Sequence, residues 1–396
     1  MAPMPRVMHV ITGLASGGAE TMLLKLLSAR TKDFEVLVMT LDQKELTLEP
    51  AIRQLGVSVC NLGLRRSIPS PRVALAVRRT LLQFRPHVIQ GWMPHGNLVA
   101  SFAGILSRPR VPVLWNIRMS LSESRKEPLR TRAIIRFAAR LSWHPQVIIY
   151  NSQSGARQHE ALGYRASKRV FIPNGFDCQL FRPNQDARRR VRCELGVSED
   201  ALLIGMVARN HPMKDHSNFL RAAAIIASRY PLARFVLVGT GVTAEDQVLA
   251  NTIAQHQLTH KTFLLGQRPD IPRLTAALDV ACSTSFWGEG FSNAVGEAMA
   301  CGVPCVVTDI GDSAGIVANT GQIVPARNPE AFAQSLAQLI EAGTERRREL
   351  GILARQRVEE NFSLDVIVRR YEDLYRQLMM NSVPLPLAVG TAKIDK

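Results

Sequence analysis

No stretch of the 396-residue sequence approaches the roughly 18 uninterrupted apolar residues that a membrane-spanning helix requires. The opening residues 1–6 run straight into Val7–Ile11, too short an apolar segment for a secretory signal, so the chain is expected in the cytoplasm. Cysteine is scarce. Cys60, Cys178, Cys193, Cys282, Cys301 and Cys305 follow neither a disulfide nor a zinc-ligand rhythm. Several fall in strand-like runs, where a free thiol is a small buried hydrophobe, and the Cys301/Cys305 pair flanking a Gly-Val-Pro turn reads as packing. Phe, Trp and Tyr make up only 6% of the chain, which predicts mainly aliphatic cores. Internal repeats and low-complexity tracts are also absent, apart from a loose tail over 381–396. With 46% hydrophobic and 21% charged residues, the chain has apolar material for two ordinary globular cores.

Strand-like and helix-like runs alternate along the whole sequence. Apolar runs at 7–12, 35–40, 57–60, 88–90, 111–116, 147–150 and 170–172 read as strands, with helical stretches such as 20–28, 72–84 and 154–162 between them. The pattern resumes with strands at 202–207, 234–238, 262–265, 279–282 and 304–308. Such alternation predicts an α/β fold of two doubly wound parallel sheets. Turn chemistry between Ile172 and Asn184 separates them, giving domains over 1–182 and 183–361 and a closing helix over 362–380.

The stretch Ser285–Ala300 organises the second half. It lies between two apolar strands and must hold a loop followed by a helix, with Ser292 or Asn293 placed to cap the first turn. A helix start offers free N–H groups and partial positive charge, which suits a phosphate. Glu289 precedes this helix and Glu297 lies within it, roughly 12 Å further along. Upstream, Arg209 and Lys214 follow the strand 202–207, at the sheet edge where open α/β folds bind ligands. Two cations there can neutralise a diphosphate. Asp215 reads as a helix cap, and His211 and His216 as loop histidines without the partners a metal needs.

These two glutamates, set in Glu-Gly-Phe-Ser-Asn and followed by Ala-Cys-Gly-Val-Pro-Cys-Val, resemble the retaining glycosyltransferases of family four. The resemblance implies the GT-B fold, in which two Rossmann-like domains face across a cleft. It implies a nucleotide-diphosphate sugar, UDP- or GDP-linked, as co-substrate, with no cofactor. Glu289 would hold sugar hydroxyls near the anomeric carbon, Glu297 the ribose, and Arg209 and Lys214 the diphosphate. Gly290, Phe291, Ser292 and Asn293 would line the donor, Gln267 and Arg268 the nucleobase, and Gly17 and Gly18 of the first glycine-rich loop the phosphates. No Asp-x-Asp triplet occurs, so no metal is expected. His95 is a candidate for handling the acceptor hydroxyl. Many family members place another histidine after the following strand; here Arg118 and Met119 stand there, and Arg118 is taken as an acceptor- or phosphate-binding candidate.

The formal charge is +16, and residues 1–170 carry all of it, with 25 Lys and Arg against 9 Asp and Glu. No nucleic-acid motif accompanies this charge, so an anionic membrane surface is the expected partner. Arg125, Lys126, Arg132, Arg136 and Arg140 would form the basic face, with Ile134, Ile135, Ala138, Leu141 and Trp143 beside it. The expected acceptor is a glycan or lipid-linked saccharide, met by a peripheral enzyme on the inner membrane face. A nucleotide-sugar epimerase, or a binding protein without catalysis, are the competing classes.

Overall fold

Alternation along the first strand explains the layering of the first half. In β1 (Arg6–Ile11), Val7 and Ile11 enter one core, while Met8 and Val10 enter another on the opposite face. The computed structural model describes residues 4–15, 17–42, 46–63, 71–121 and 129–380. After β1 come β2 (Glu35–Thr40), β3 (Ser58–Asn61), β4 (Val88–Trp92), β5 (Val113–Ile117), β6 (Val147–Tyr150) and β7 (Arg169–Phe171). They form one sheet in the order β3-β2-β1-β4-β5-β6-β7, every neighbouring pair parallel.

The second sheet contains β8 (Leu202–Val207), β9 (Ala233–Val238), β10 (Thr262–Leu264), β11 (Val280–Ser283), β12 (Cys305–Thr308) and β13 (Gln322–Val324). Its order is β10-β9-β8-β11-β12-β13, again all parallel. Both sheets are doubly wound, and each reverses its strand order once, beside β1 and β4 in the first and β8 and β11 in the second. Ligands of such sheets bind outside the carboxyl ends at that reversal.

Two units divide the chain. One takes the residues up to Gly175 and the helix starting at Leu364; the other runs from Phe176 to Ser363. The break therefore falls at Gly175–Phe176 rather than at 182–183. The reason is local: the Phe176 N–H donates to Phe362 O at 2.9 Å, and its ring stacks on Phe291. Gly296 makes room for that ring, since a Cβ there would fall 2.1 Å from it.

The closing helix, Leu364–Met380, is part of the first unit. Tyr371 accepts from Asn116 Nδ2 at 2.9 Å and stacks on Trp92. Tyr375 donates to Gln90 Oε1. The buried Glu372 carboxylate accepts from Thr31 N and Oγ1 at 2.8 and 2.9 Å. The tail over 381–396 lies outside the described residues.

Candidate active site

The loop after β8 carries Arg209 and Lys214 to the carboxyl edge of the second sheet. Gly239, at φ +153, fits tightly against it; a Cβ there would sit 2.1 Å from Ala208 O. Arg209 is exposed, its Nη2 4.0 Å from Met213 Sδ. Asp215 caps the helix His216–Arg229, accepting from Asn218 N at 3.2 Å with its own backbone at φ +49. That left-handed conformation is unusual for a non-glycine residue, and such strain gathers at functional sites. His216 is not in the loop: it is the first residue of this helix, and burial pushes its imidazole down to about 4.

Lys214 and Glu289 meet. Lys214 Nζ donates to Glu289 Oε2, and Ser285 Oγ donates to the same oxygen at 2.9 Å. Their backbones are held as firmly as their side chains. Thr284 Oγ1 donates to Lys214 O at 2.8 Å, Phe286 N to Met213 O at 3.1 Å, and Thr308 Oγ1 to Ser285 O. Behind Glu289, Asp312 N donates to Gly290 O at 2.9 Å. Gly311, at φ +66, lies so close that a Cβ would fall 2.4 Å from Glu289 O. Gly311→Ala is therefore expected to shift Glu289. Displacements of about 1 Å cost turnover up to about 10²-fold, while binding of a nucleoside diphosphate, expected chiefly at Arg209 and Lys214, should change less. Steady-state kinetics with calorimetry of nucleoside diphosphate binding checks both halves.

The helix following Glu289 is Asn293–Ala300, with Ser292 at its N-cap. Ser292 gives no side-chain capping bond, contrary to the expected cap, so its hydroxyl does not occupy the helix's first N–H groups. Asn293 is exposed and Glu297 half-buried. Phe291 turns inward, its ring packed between Phe176 and Phe362, so only its backbone can face a ligand. Gln267 is exposed and accepts from Thr240 Oγ1 at 3.3 Å. The Arg268 side chain pairs with Asp270 and Glu194 at 2.8 and 2.9 Å. Those carboxylates raise its pKa further, and the Arg268 guanidinium in turn, with Arg273, holds Asp270 well below the usual carboxylate range. Its guanidinium belongs to this surface network, leaving the backbone as its route to a nucleobase. Among the described residues, no three His, Cys, Asp or Glu side chains gather as a metal site would need.

In the first unit, Gly17 is the N-cap of the helix Gly18–Ala29. Neither glycine has a positive φ, so conformation alone does not call for them. A Cβ on Gly18 would meet nothing within 4 Å, whereas one on Gly17 would strike the Glu20 carboxylate at 2.3 Å. His95 lies in the first turn of Met93–Leu106, a helix between β4 and β5 as the strand–helix alternation implies, although its bounds are not read from the sequence. Pro94 and Gly96 resemble turn residues, yet proline is at home in a helix's first turn. Gly96 also allows close packing, a Cβ there falling 2.4 Å from Val10 O. His95 is half-buried, and burial lowers its pKa, favouring the neutral imidazole that a base requires. Arg118 donates to Tyr371 OH at 3.1 Å and to Asn174 Oδ1, and lies over Trp92. These contacts make it first a tether for the closing helix. Of the expected basic face, Arg136 and Arg140 are exposed and Arg132 half-buried; Arg125 and Lys126 lie outside the described residues. Among the described residues, no helix is long and apolar enough to cross a membrane.

Residues 187–357 match the family model "Glycosyl transferases group 1", and residues 17–175 match "Glycosyl transferase 4-like domain". The chain is a family-four glycosyltransferase of the GT-B type. A putative glycosyltransferase, EpsF of Bacillus subtilis, is 26% identical to it over 77% of this chain and 79% of its own. A second relative is the Escherichia coli UDP-Gal:alpha-D-GlcNAc-diphosphoundecaprenol alpha-1,3-galactosyltransferase. It is 29% identical, over 53% of this glycosyltransferase and 54% of its own length. Beyond EpsF, the match spans about half the length of curated relatives. Anabaena HepE, crystallised with UDP, shares the fold with a TM-score of 0.82, at 23% identity over 94% of this chain and 100% of HepE. A Rickettsia africae glycosyltransferase aligns with a TM-score of 0.80 at 18% identity, covering 96% and 99% of the two chains.

Proposed function

We propose that this glycosyltransferase moves a hexosyl or N-acetylhexosaminyl group from a UDP- or GDP-linked sugar to a glycan or lipid-linked saccharide, with retention of anomeric configuration. The pairing of Lys214 with Glu289 at the reversal point of the second sheet carries this reading. It puts a cation suited to a diphosphate beside a carboxylate suited to sugar hydroxyls and to positive charge at the anomeric carbon. Arg209 would share the diphosphate with Lys214. The start of Asn293–Ala300 would add N–H donors, and Glu297, one turn on, would take the ribose. His95 is the residue of the first unit best suited to the acceptor hydroxyl. The E. coli relative's named lipid-diphosphate substrate and the UDP held by HepE support these classes. An anionic membrane surface would present the acceptor to the basic first unit, in polysaccharide or cell-envelope glycan synthesis.

A thermal-shift screen of nucleotide sugars tests the donor half. At 100-fold excess over the dissociation constant a true donor should stabilise the protein by about 2.7 kcal/mol; stabilisation by no UDP- or GDP-sugar would count against it. Since cations of the protein would meet the leaving diphosphate, activity should survive exhaustive chelation. Loss under chelation, restored by magnesium or manganese, would mean that the charge stabilisation is misassigned.

A further inference from the structure

Three helices cover one side of the first sheet: Pro71–Phe84 packs beside Met93–Leu106, which packs beside Leu129–Leu141. Val77, Ala100 and Ile135 send all three into one core. Their outward side is unusual. Leu75, Leu82, Phe102, Ile105 and Phe137 stand exposed there, with Trp143 just beyond the third helix; Leu82 is 63% and Trp143 58% exposed. Exposed Arg78, Arg79, Arg136 and Arg140 lie among them. The sequence holds no Asp or Glu between Glu49 and Glu123, nor between Glu127 and Glu160, so none of the three helices carries a carboxylate. The apolar members differ from those expected: Ile135 and Ala138 are buried in the core, and Phe137 points outward instead.

We propose that this three-helix face docks on an anionic lipid bilayer, its apolar side chains entering the headgroup boundary and its arginines meeting lipid phosphates. This deepens the membrane contact proposed above, while the binding itself stands independently of sugar transfer. A nucleic acid would use the arginines but leave six large apolar side chains in water. A bilayer satisfies both, and tryptophan in particular favours its interface. Burial of a large apolar side chain strengthens partitioning by about tenfold or more. The contact is therefore not electrostatic alone, and salt should weaken it without abolishing it.

The full chain is sedimented with phosphatidylglycerol–phosphatidylcholine vesicles and with phosphatidylcholine alone, at low and high salt. The wild type should bind the anionic vesicles and keep part of that binding at high salt. Trp143 emission, read as the difference from Trp143→Phe, should shift to the blue on binding. Phe137→Ser with Trp143→Ser should lose the salt-resistant fraction, weakening binding by about tenfold or more. Arg136→Glu with Arg140→Glu should lose the low-salt attraction, and both double variants should keep the wild-type thermal shift with nucleoside diphosphate. Vesicle binding without transfer to a lipid-linked acceptor carried in those vesicles would overturn the proposed acceptor and leave this face standing. Transfer to a soluble acceptor without any vesicle binding would overturn this face and leave the transferase reading standing. The proposal fails if the wild type ignores anionic vesicles at low salt, if the serine variant binds undiminished at high salt, or if the face binds RNA but no vesicles.

Discussion

Glu289→Gln is expected to cut turnover by about 10²–10³-fold while affinity for the nucleoside diphosphate holds or rises. The amide keeps the shape of the side chain and an oxygen for the Ser285 hydroxyl, so the loop held by Thr308 and Gly311 should stay in place. What disappears is the negative charge that would offset positive character at the anomeric carbon. The same change releases Lys214 from its partner, leaving a cation unopposed for the diphosphate. Single-turnover kinetics with calorimetry of nucleoside diphosphate binding separates the two effects. Near-wild-type turnover would remove Glu289 from the chemistry, and a large loss of diphosphate affinity would mean that the substitution has deformed the loop.

Lys214→Ala should produce the opposite pattern. Charge-assisted hydrogen bonds contribute about 1.5–3 kcal/mol, which corresponds to roughly 10- to 100-fold in nucleoside diphosphate affinity. Arg209→Ala should also cost affinity, toward the lower end of that range, since its exposed guanidinium leaves the same loop. Lys214→Ala should be the worse of the two because it leaves the Glu289 carboxylate facing a dianionic ligand. Adding Glu289→Gln to Lys214→Ala should therefore restore part of the binding, a coupling expected of groups in contact. Strictly additive effects would show that the pair does not act together on the diphosphate.

Much of this architecture was legible in the sequence. The run Leu202–Val207 coincides with β8, and the run 72–84 differs from the helix Pro71–Phe84 by one residue, because apolar patterning and turn residues bound each element. The helix Met93–Leu106 follows from the alternation, but its start was not legible because Pro94 and Gly96 obscure the helical pattern in its first turn. The three-residue β13 is too short to carry a periodic signal. At the site, Arg209, Lys214 and Glu289 could be placed on loops at strand ends, but their pairing could not. Lys214 and Glu289 lie 75 residues apart and meet only because β8 and β11 are neighbours. Thr284, Thr308 and Gly311 were missed for a related reason: a single hydroxyl or glycine at a strand end has no pattern in sequence, and its role exists only in the folded loop. Phe291 shows the converse. It sits in the motif, yet its ring serves the core.

The fate of the sugar is followed directly by one measurement. A labelled nucleotide sugar selected by thermal shift is incubated, under chelation, with glycan or lipid-linked acceptors, and the product linkage is read by NMR. Nucleoside diphosphate and a new glycosidic bond should appear in equal amounts, the bond keeping the donor's anomeric configuration, and both should fall together in Glu289→Gln. An inverted linkage, or an epimerised nucleotide sugar formed without any acceptor, would contradict the mechanism proposed here.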